Sequence, residues 1–319
     1  MSANDQLESY LSDAHSIEEQ ALTQLRAAPD IAGDAGLAEI FTRHLDETEG
    51  HEQMIRDRLE AHGGKPSKLK EALMKAGGAG FVLFAGSQPD TPGKLVAHAY
   101  SYEHLELASY ELLEIVARRA GDEDTAVTAR SIRDEEKAMA ERLGAAFDTA
   151  VDASLRELSP DDLQEQVTKY LMDAHALEQQ AKKLLEKASE NGGTRELERI
   201  YSEHLGETRG HAALVERRLD ELGSSRSRFK DAAMKLGGLN WSGFFKAQPD
   251  TPGKLAAFAF AFEHLEIAGY EELKRVATRA GDTGTVEICD RILGEERAAA
   301  RKVAGAFDGA VEASLQAVA

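Results

Sequence analysis

Cysteine, tryptophan, proline and long apolar runs are all scarce in this chain. Its 319 residues include one cysteine, Cys289, one tryptophan and seven prolines. A lone cysteine excludes an internal disulfide and fits a reducing compartment, so a cytoplasmic location is expected. No stretch of about 18 or more uncharged apolar residues occurs, and the opening MSANDQLESYLSDAH has neither a basic nor an apolar leader region. Secretion and a membrane partner are therefore not expected. Bases are outnumbered, 38 against 57 acids, which leaves a formal net charge of −19. Such a chain is not drawn to phosphate backbones at long range, and nucleic acid is not an expected partner. Alternation of apolar and polar residues with period two is also missing, which excludes a sheet.

What is present is one unit written twice. SDAHSIEEQAL matches MDAHALEQQAK, and SQPDTPGKLVAHAYSYEHLELASYELL matches AQPDTPGKLAAFAFAFEHLEIAGYEEL. The offset stays at 160 positions from His44 and His204 to Pro92 and Pro252 and on to Phe147 and Phe307 (204 − 44, 252 − 92, 307 − 147). Two domains of equal plan are expected, residues 1–158 and 159–319, joined near Leu158, Ser159 and Pro160. Each is long enough to bury a core of its own.

Within each copy the period is helical. The first helix is predicted from about Asp5 to Ala28, with Leu7, Leu11, Ala14, Ile17, Ala21 and Leu25 at steps of three and four. The second runs from about Gly33 to His62 and stops at Gly63-Gly64. A short helical segment over about Ser67 to Lys75 leads into an aromatic loop with Phe81 and Phe84, or Trp241, Phe244 and Phe245 in the second copy. That loop reads as a bundle cap or a contact between copies. Thr91-Pro92 signals a third helix, with the threonine hydroxyl as cap, and Asp122 opens a fourth that reaches about Leu155. Four long helices with one long crossover make an all-α chain of two tandem ferritin-like four-helix bundles.

Two diverged copies allow an internal comparison. Charge has drifted at Glu19 and Gln179, Glu49 and Arg209, Glu52 and Ala212, Glu114 and Lys274, and Glu141 and Arg301, as at solvated positions. Other polar residues are kept. Glu18 matches Glu178; His44, Glu47 and His51 match His204, Glu207 and His211. Glu103, His104 and Glu106 match Glu263, His264 and Glu266, and Glu135-Glu136 matches Glu295-Glu296. Several of these fall on apolar stripes, so each helix is expected to aim a carboxylate inward. Bare carboxylates in a core would each cost several kcal/mol. Either these groups are protonated or a cation sits among them, and carboxylate oxygen with imidazole nitrogen suits iron, manganese or zinc. Two ions bridged by glutamates are the recurring bundle solution.

Duller roles compete at some positions. His15 and His175 read as packed behind the ligands, and His44 and His51 as ligands or as groups supporting them. His104 and His264 lie at i+1, off the carboxylate face, and read as structural or surface residues. Tyr110 and Tyr270 read as core aromatics, with a hydrogen bond toward the site as the alternative. Of the Glu135-Glu136 doublet, Glu136 is the inward member. His62 and His98 have no repeat partner, which argues against a site role.

LSDAHSIEEQAL, HLDETEGH, YEHLELASYELL and DEEKAMAERL together resemble the four helix motifs of YciF-like stress proteins, a branch of the ferritin-like superfamily. The resemblance covers nearly the whole chain, twice. It implies a ferritin-like bundle with a di-iron or di-manganese centre on Glu18, Glu47, Glu103, Glu106 and Glu136 with His44, and a link to stress responses. Members often carry glutamine where His51 and His211 stand, and an aspartate where this chain has Ala140 and Ala300. They tend to pair as homodimers, so the tandem chain is expected to be that dimer made covalent, with a pseudo-two-fold axis, and a monomer overall. A hollow iron-storing shell is disfavoured for the same reason. The expected ligands are Glu18, His44, Glu47, His51, Glu103, Glu106 and Glu136, and in the second copy Glu178, His204, Glu207, His211, Glu263, Glu266 and Glu296. The expected cofactors are two iron or manganese ions per bundle. The expected activity is reaction with dioxygen or hydrogen peroxide, of the ferroxidase or manganese-catalase kind. A binding protein without turnover, or one with a relic site, is the alternative.

Overall fold

In a computed structural model, residues 3–66, 90–224 and 251–318 are described, with Gly80 and Gly86 besides. The predicted short helix over 67–75 and the aromatic loops lie outside the described residues. Those described form helices and their connections, with no strand among them. The helices are α1 (Ala3–Leu25), α2 (Ala28–Ile31), α3 (Ala35–Ala61), α4 (Thr91–Ala120) and α5 (Glu123–Leu155), then α6 (Leu163–Asn191), α7 (Arg195–Glu221), α8 (Thr251–Arg279), α9 (Thr283–Ala304) and α10 (Phe307–Val318). Two compact units divide the chain, Met1–Arg156 and Glu157–Val318.

In unit 1, α1 packs on α3 and α4, and α5 packs on α3 and α4. In unit 2, α6 packs on α7 and α8, and α9 packs on α7 and α8. Each is a four-helix bundle. Side chains at three- and four-residue steps share one helix face, and the buried stripe of α3 follows that rule through Leu37, Phe41, His44, Thr48, His51, Ile55 and Leu59. Two histidines thus occupy core positions. The stripe of α1 runs Leu7, Leu11, Ala14, Glu18, Ala21 and Leu25, with a glutamate in the middle.

Helix ends follow local chemistry. Asp34 caps α3 by accepting from the Gly36 and Leu37 amides, and Asp122 caps α5 by accepting from Thr125 N. The cap of α4 is Asp90 rather than the hydroxyl of Thr91, which is already helical. Arg58 near the end of α3 reaches Asp122 at 2.9 Å and Thr125 Oγ1 at 2.9 Å, and the second copy repeats this with Arg218, Asp282 and Thr285. The predicted single fourth helix of the second copy is interrupted at Gly305-Ala306, giving α9 and α10; Gly305 stands where the first copy has Ala145.

Two charges that drift between copies are buried, contrary to the solvated reading. Glu52 is 7% exposed and Glu114 4%. Glu114 is held by Arg118, Arg130 and Arg133, the last two at 2.9 Å. In the second copy Lys274 and Asp290 stand at the positions of Glu114 and Arg130 and pair with each other. The charges swapped places and the ion pair survived, so drift here reflects compensation, not solvation.

Gly33 (φ +68°) and Gly193 (φ +77°) precede α3 and α7 in the left-handed region. A Cβ on Gly33 would stand 2.7 Å from Pro92 Cγ, and one on Gly193 would collide with the Pro252 ring. Gly33→Ala and Gly193→Ala should each cost about 2 kcal/mol or more, from backbone strain and the clash together. Urea unfolding checks this: an unchanged midpoint would show that the turn relaxes freely.

Candidate metal centre

Four helices deliver the kept polar residues to one place in each unit. In unit 1, α1 supplies Glu18, α3 supplies His44 and His51, α4 supplies Glu103 and Glu106, and α5 supplies Glu136; all are buried. The i,i+3 spacing of Glu103 and Glu106 puts both on one face of α4. His44 Nε2 lies 3.2 Å from Glu103 Oε2 and 3.4 Å from Glu136 Oε2. His51 Nδ1 lies 2.7 Å from Glu136 Oε1.

These residues form two groups able to hold a cation, within each of which one ligand atom per residue lies within 4.8 Å of the others. One is His44, Glu103, Glu106 and Glu136; the other is Glu18, His51 and Glu136. Glu136 belongs to both. Unit 2 repeats the pattern with His204, Glu263, Glu266 and Glu296, and with Glu178, His211 and Glu296. There His204 Nε2 lies 2.8 Å from Glu263 Oε2, and His211 Nδ1 lies 2.8 Å from Glu296 Oε1.

The outer ring nitrogens are also fixed. His44 Nδ1 donates to Glu47 Oε2 at 3.2 Å, and His204 Nδ1 to Glu207 Oε2 at 2.9 Å. His51 Nε2 donates to Glu135 Oε2 at 3.1 Å, and His211 Nε2 to Glu295 Oε2 at 2.7 Å. A carboxylate on the far nitrogen sets ring orientation and tautomer, and leaves the near nitrogen for a cation. Glu47 and Glu207, expected among the ligands, are therefore not brought into either group. They are 20% and 34% exposed, and Glu47 also takes Arg43 and Arg142. The physical reason is register: Thr48 occupies the inward position of α3, and Met54, seven residues beyond Glu47, is 36% exposed.

Glu135 is the outward member of its doublet. Its side chain is indeed 50% exposed, yet it holds His51. Tyr110 donates its hydroxyl to Glu18 Oε1, and Tyr270 does the same to Glu178 Oε1 at 2.5 Å. His104 and His264 are structural, donating from Nδ1 to the carbonyls of Tyr100 and Phe260 at 2.7 and 2.8 Å. His15, buried, meets Glu52 at 2.7 Å in a third group with Glu19. Arg56 already supplies positive charge to Glu52 at 2.5 Å. His62 serves the Asp122 cap at 2.6 Å. His98, discounted for lack of a repeat partner, lines a cavity that touches Glu103.

The electrostatics are those of buried carboxyls crowded together. Burial, joined by the charges of Glu136, Glu18 and Glu103, pushes the Glu106 carboxyl well above the carboxylate range. Burial likewise pushes Glu18 and Glu103 up to about 8. Burial disfavours the charged ring of His51, but Glu136 and Glu18 outweigh it and raise that ring to about 10. In unit 2 burial pushes Glu296 up, and hydrogen bonds from His204 and His211 more than reverse this, holding it below the usual range. Both oxygens of Glu106, and both of Glu266, have no hydrogen-bond partner among the described residues. Orphaned buried carboxylate oxygens are costly as anions unless a proton or a cation takes them. Four buried carboxylates per unit, Glu18, Glu103, Glu106 and Glu136 in the first, are brought together with two histidines in groups that could hold metal ions. Carboxylate oxygens joined by imidazole nitrogen are a donor set that suits a metal ion.

A family model described as "Domain of unknown function (DUF892)" matches residues 2–156 and again 162–316. Protein YciF of Escherichia coli (strain K12) is 29% identical over 136 residues, which span 40% of this chain and 80% of that protein. No solved structure matches. Among the described residues no helix is long and apolar enough to cross a membrane.

Proposed function

The chain belongs, in two tandem copies, to the DUF892 family, and from this premise we propose that each unit holds a pair of iron or manganese ions that reacts with dioxygen or hydrogen peroxide. The observation that carries the reading is the sharing of Glu136, and of Glu296, between two adjacent cation-holding groups. Separate sites would not need a common carboxylate; a bridged pair does. When bound, the ions supply the electron transfers of a ferroxidase or of peroxide disproportionation.

The chain's own groups have distinct tasks. Glu103, Glu106 and His44 would hold one ion and Glu18 and His51 the other, with Glu136 common to both groups. Glu47 and Glu135 keep the imidazoles turned, each through the ring nitrogen that faces away from the ions. Tyr110 keeps its proton on the Glu18 side, because burial and the neighbouring carboxylates push its hydroxyl well above the usual range. Burial of every inner ligand keeps bulk water out and strengthens each charge interaction. A role in oxidant stress follows from that chemistry.

Protein purified from iron- or manganese-supplemented cells should carry near-stoichiometric metal and should consume peroxide or dioxygen. Absence of metal at such loading removes the reading. Metal without consumption of either oxidant leaves sequestration in its place.

A further inference from the structure

A partly open cavity with room for a water-sized solute lies between α1, α2, α3 and α4 of unit 1. Its polar lining is Gln24, His98, Tyr102 and Glu103, facing apolar residues such as Phe41. Here a candidate ligand, Glu103, borders space that the described residues do not fill. His98 Nε2 donates to Gln24 Oε1 at 3.1 Å, and Tyr102 donates to the Ile17 carbonyl at 2.9 Å. The far end of the Gln24 amide is buried and has no hydrogen-bond partner among the described residues. Whichever way that amide is turned, one of its two polar ends is left for a molecule in the cavity. Burial lowers His98 to about 3, so the ring is neutral and does not repel a cation.

The second copy lacks these polar side chains. Leu184, Phe258 and Phe262 stand at the positions of Gln24, His98 and Tyr102, while Glu263 is kept. A cation that sheds part of its hydration needs replacement dipoles, and an apolar passage supplies none. Resting on the metal reading above, we propose that the Gln24–His98–Tyr102 cavity is the entry for a divalent cation to Glu103, and that unit 1 therefore loads faster than unit 2. The two halves share a ligand set but differ in access.

Mixing the full chain, freed of metal, with excess cobalt(II) and following its visible absorption should show two loading phases. Glu106→Ala with Glu136→Ala silences unit 1, and Glu266→Ala with Glu296→Ala silences unit 2, which assigns the phases. Giving unit 1 the lining of unit 2, by Gln24→Leu, His98→Phe and Tyr102→Phe, should slow the fast phase about tenfold, as expected for the loss of one or two polar contacts to a passing, partly dehydrated ion, with final uptake unchanged. The reverse exchange, Leu184→Gln, Phe258→His and Phe262→Tyr, should speed the slow phase, and it keeps the test open if the first variant folds poorly. One shared rate in the unaltered protein, or rates that ignore both exchanges, overturns the entry route while leaving the metal pair intact. No cobalt uptake by either unit overturns both.

Discussion

Replacing Glu136 with alanine should strip unit 1 of both its ions, taking the chain from about four bound ions to about two. Glu18→Ala, which touches only the group of Glu18, His51 and Glu136, should remove about one ion and leave about three. The difference follows from sharing. His44, Glu103 and Glu106 lose their fourth donor when Glu136 goes, and Glu18 and His51 are left as two donors for the other ion. Unit 2 has its own shared carboxylate, Glu296, so its ions serve as an internal control for folding. Metal-free Glu136→Ala should also keep its helicity, because the change removes a buried carboxyl whose burial and repulsion from Glu103 already push it up to about 7. Elemental analysis of dialysed protein reads the counts. Retention of one ion in unit 1 of Glu136→Ala would mean that the two groups bind independently, and the bridged pair would be wrong.

How much of this was legible in the sequence depends on which physical rule is asked. Helical period fixes the face of a residue, so Glu18, Glu106 and Glu136 could be assigned inward from the stripes that contain them. Period does not fix the last 20° or 30° of rotation. Glu47 and Thr48 compete for the same face of α3, and the structure gives it to Thr48. Pairing across helices is invisible to period altogether. Glu135 reads as a surface acid because it is one, and its bond to His51, 84 positions away, has no local signature beyond the kept doublet. Comparison of the copies failed where both members of a pair changed together, as Glu114 and Arg130 did into Lys274 and Asp290. It failed at His98 for the opposite reason: a residue present in one copy was discounted, although difference between copies is how one half acquires a property the other lacks.

Metal-free protein should lose stability as pH rises from about 5 to about 9, against the usual behaviour of carboxylate-rich chains. Burial raises Glu18, Glu103, Glu178 and Glu263 to about 8 in the folded state, from the ordinary 4.5. Glu106 and Glu266 go higher still for the same reason, reinforced by the other carboxylates. His51 and His211 are raised to about 10 and about 9 from 6.5, because their carboxylate neighbours outweigh burial. In every case the folded chain holds protons that the unfolded chain has released. Stability from these groups is thus complete below the unfolded values and is lost as pH climbs through the folded ones, between 4.5 and about 8 for the glutamates and between 6.5 and about 10 for the histidines. The groups with lowered values, such as Asp122, Asp282 and Glu295, have the opposite sign: their contribution is present above their unfolded values and is lost in acid. Metal-free stability should therefore peak near pH 5. Bound ions reverse the trend, since each must displace protons from the same carboxylates, and affinity rises as those protons become easier to remove. Calorimetric scans with chelator and with excess manganese(II) should show a gap in melting temperature that is small near pH 5 and exceeds about 10 °C near pH 8. A metal-free protein as stable near pH 8 as near pH 5 would mean that the inner carboxylates are solvated after all, and with water available to them a buried cation pair would have nothing to neutralise.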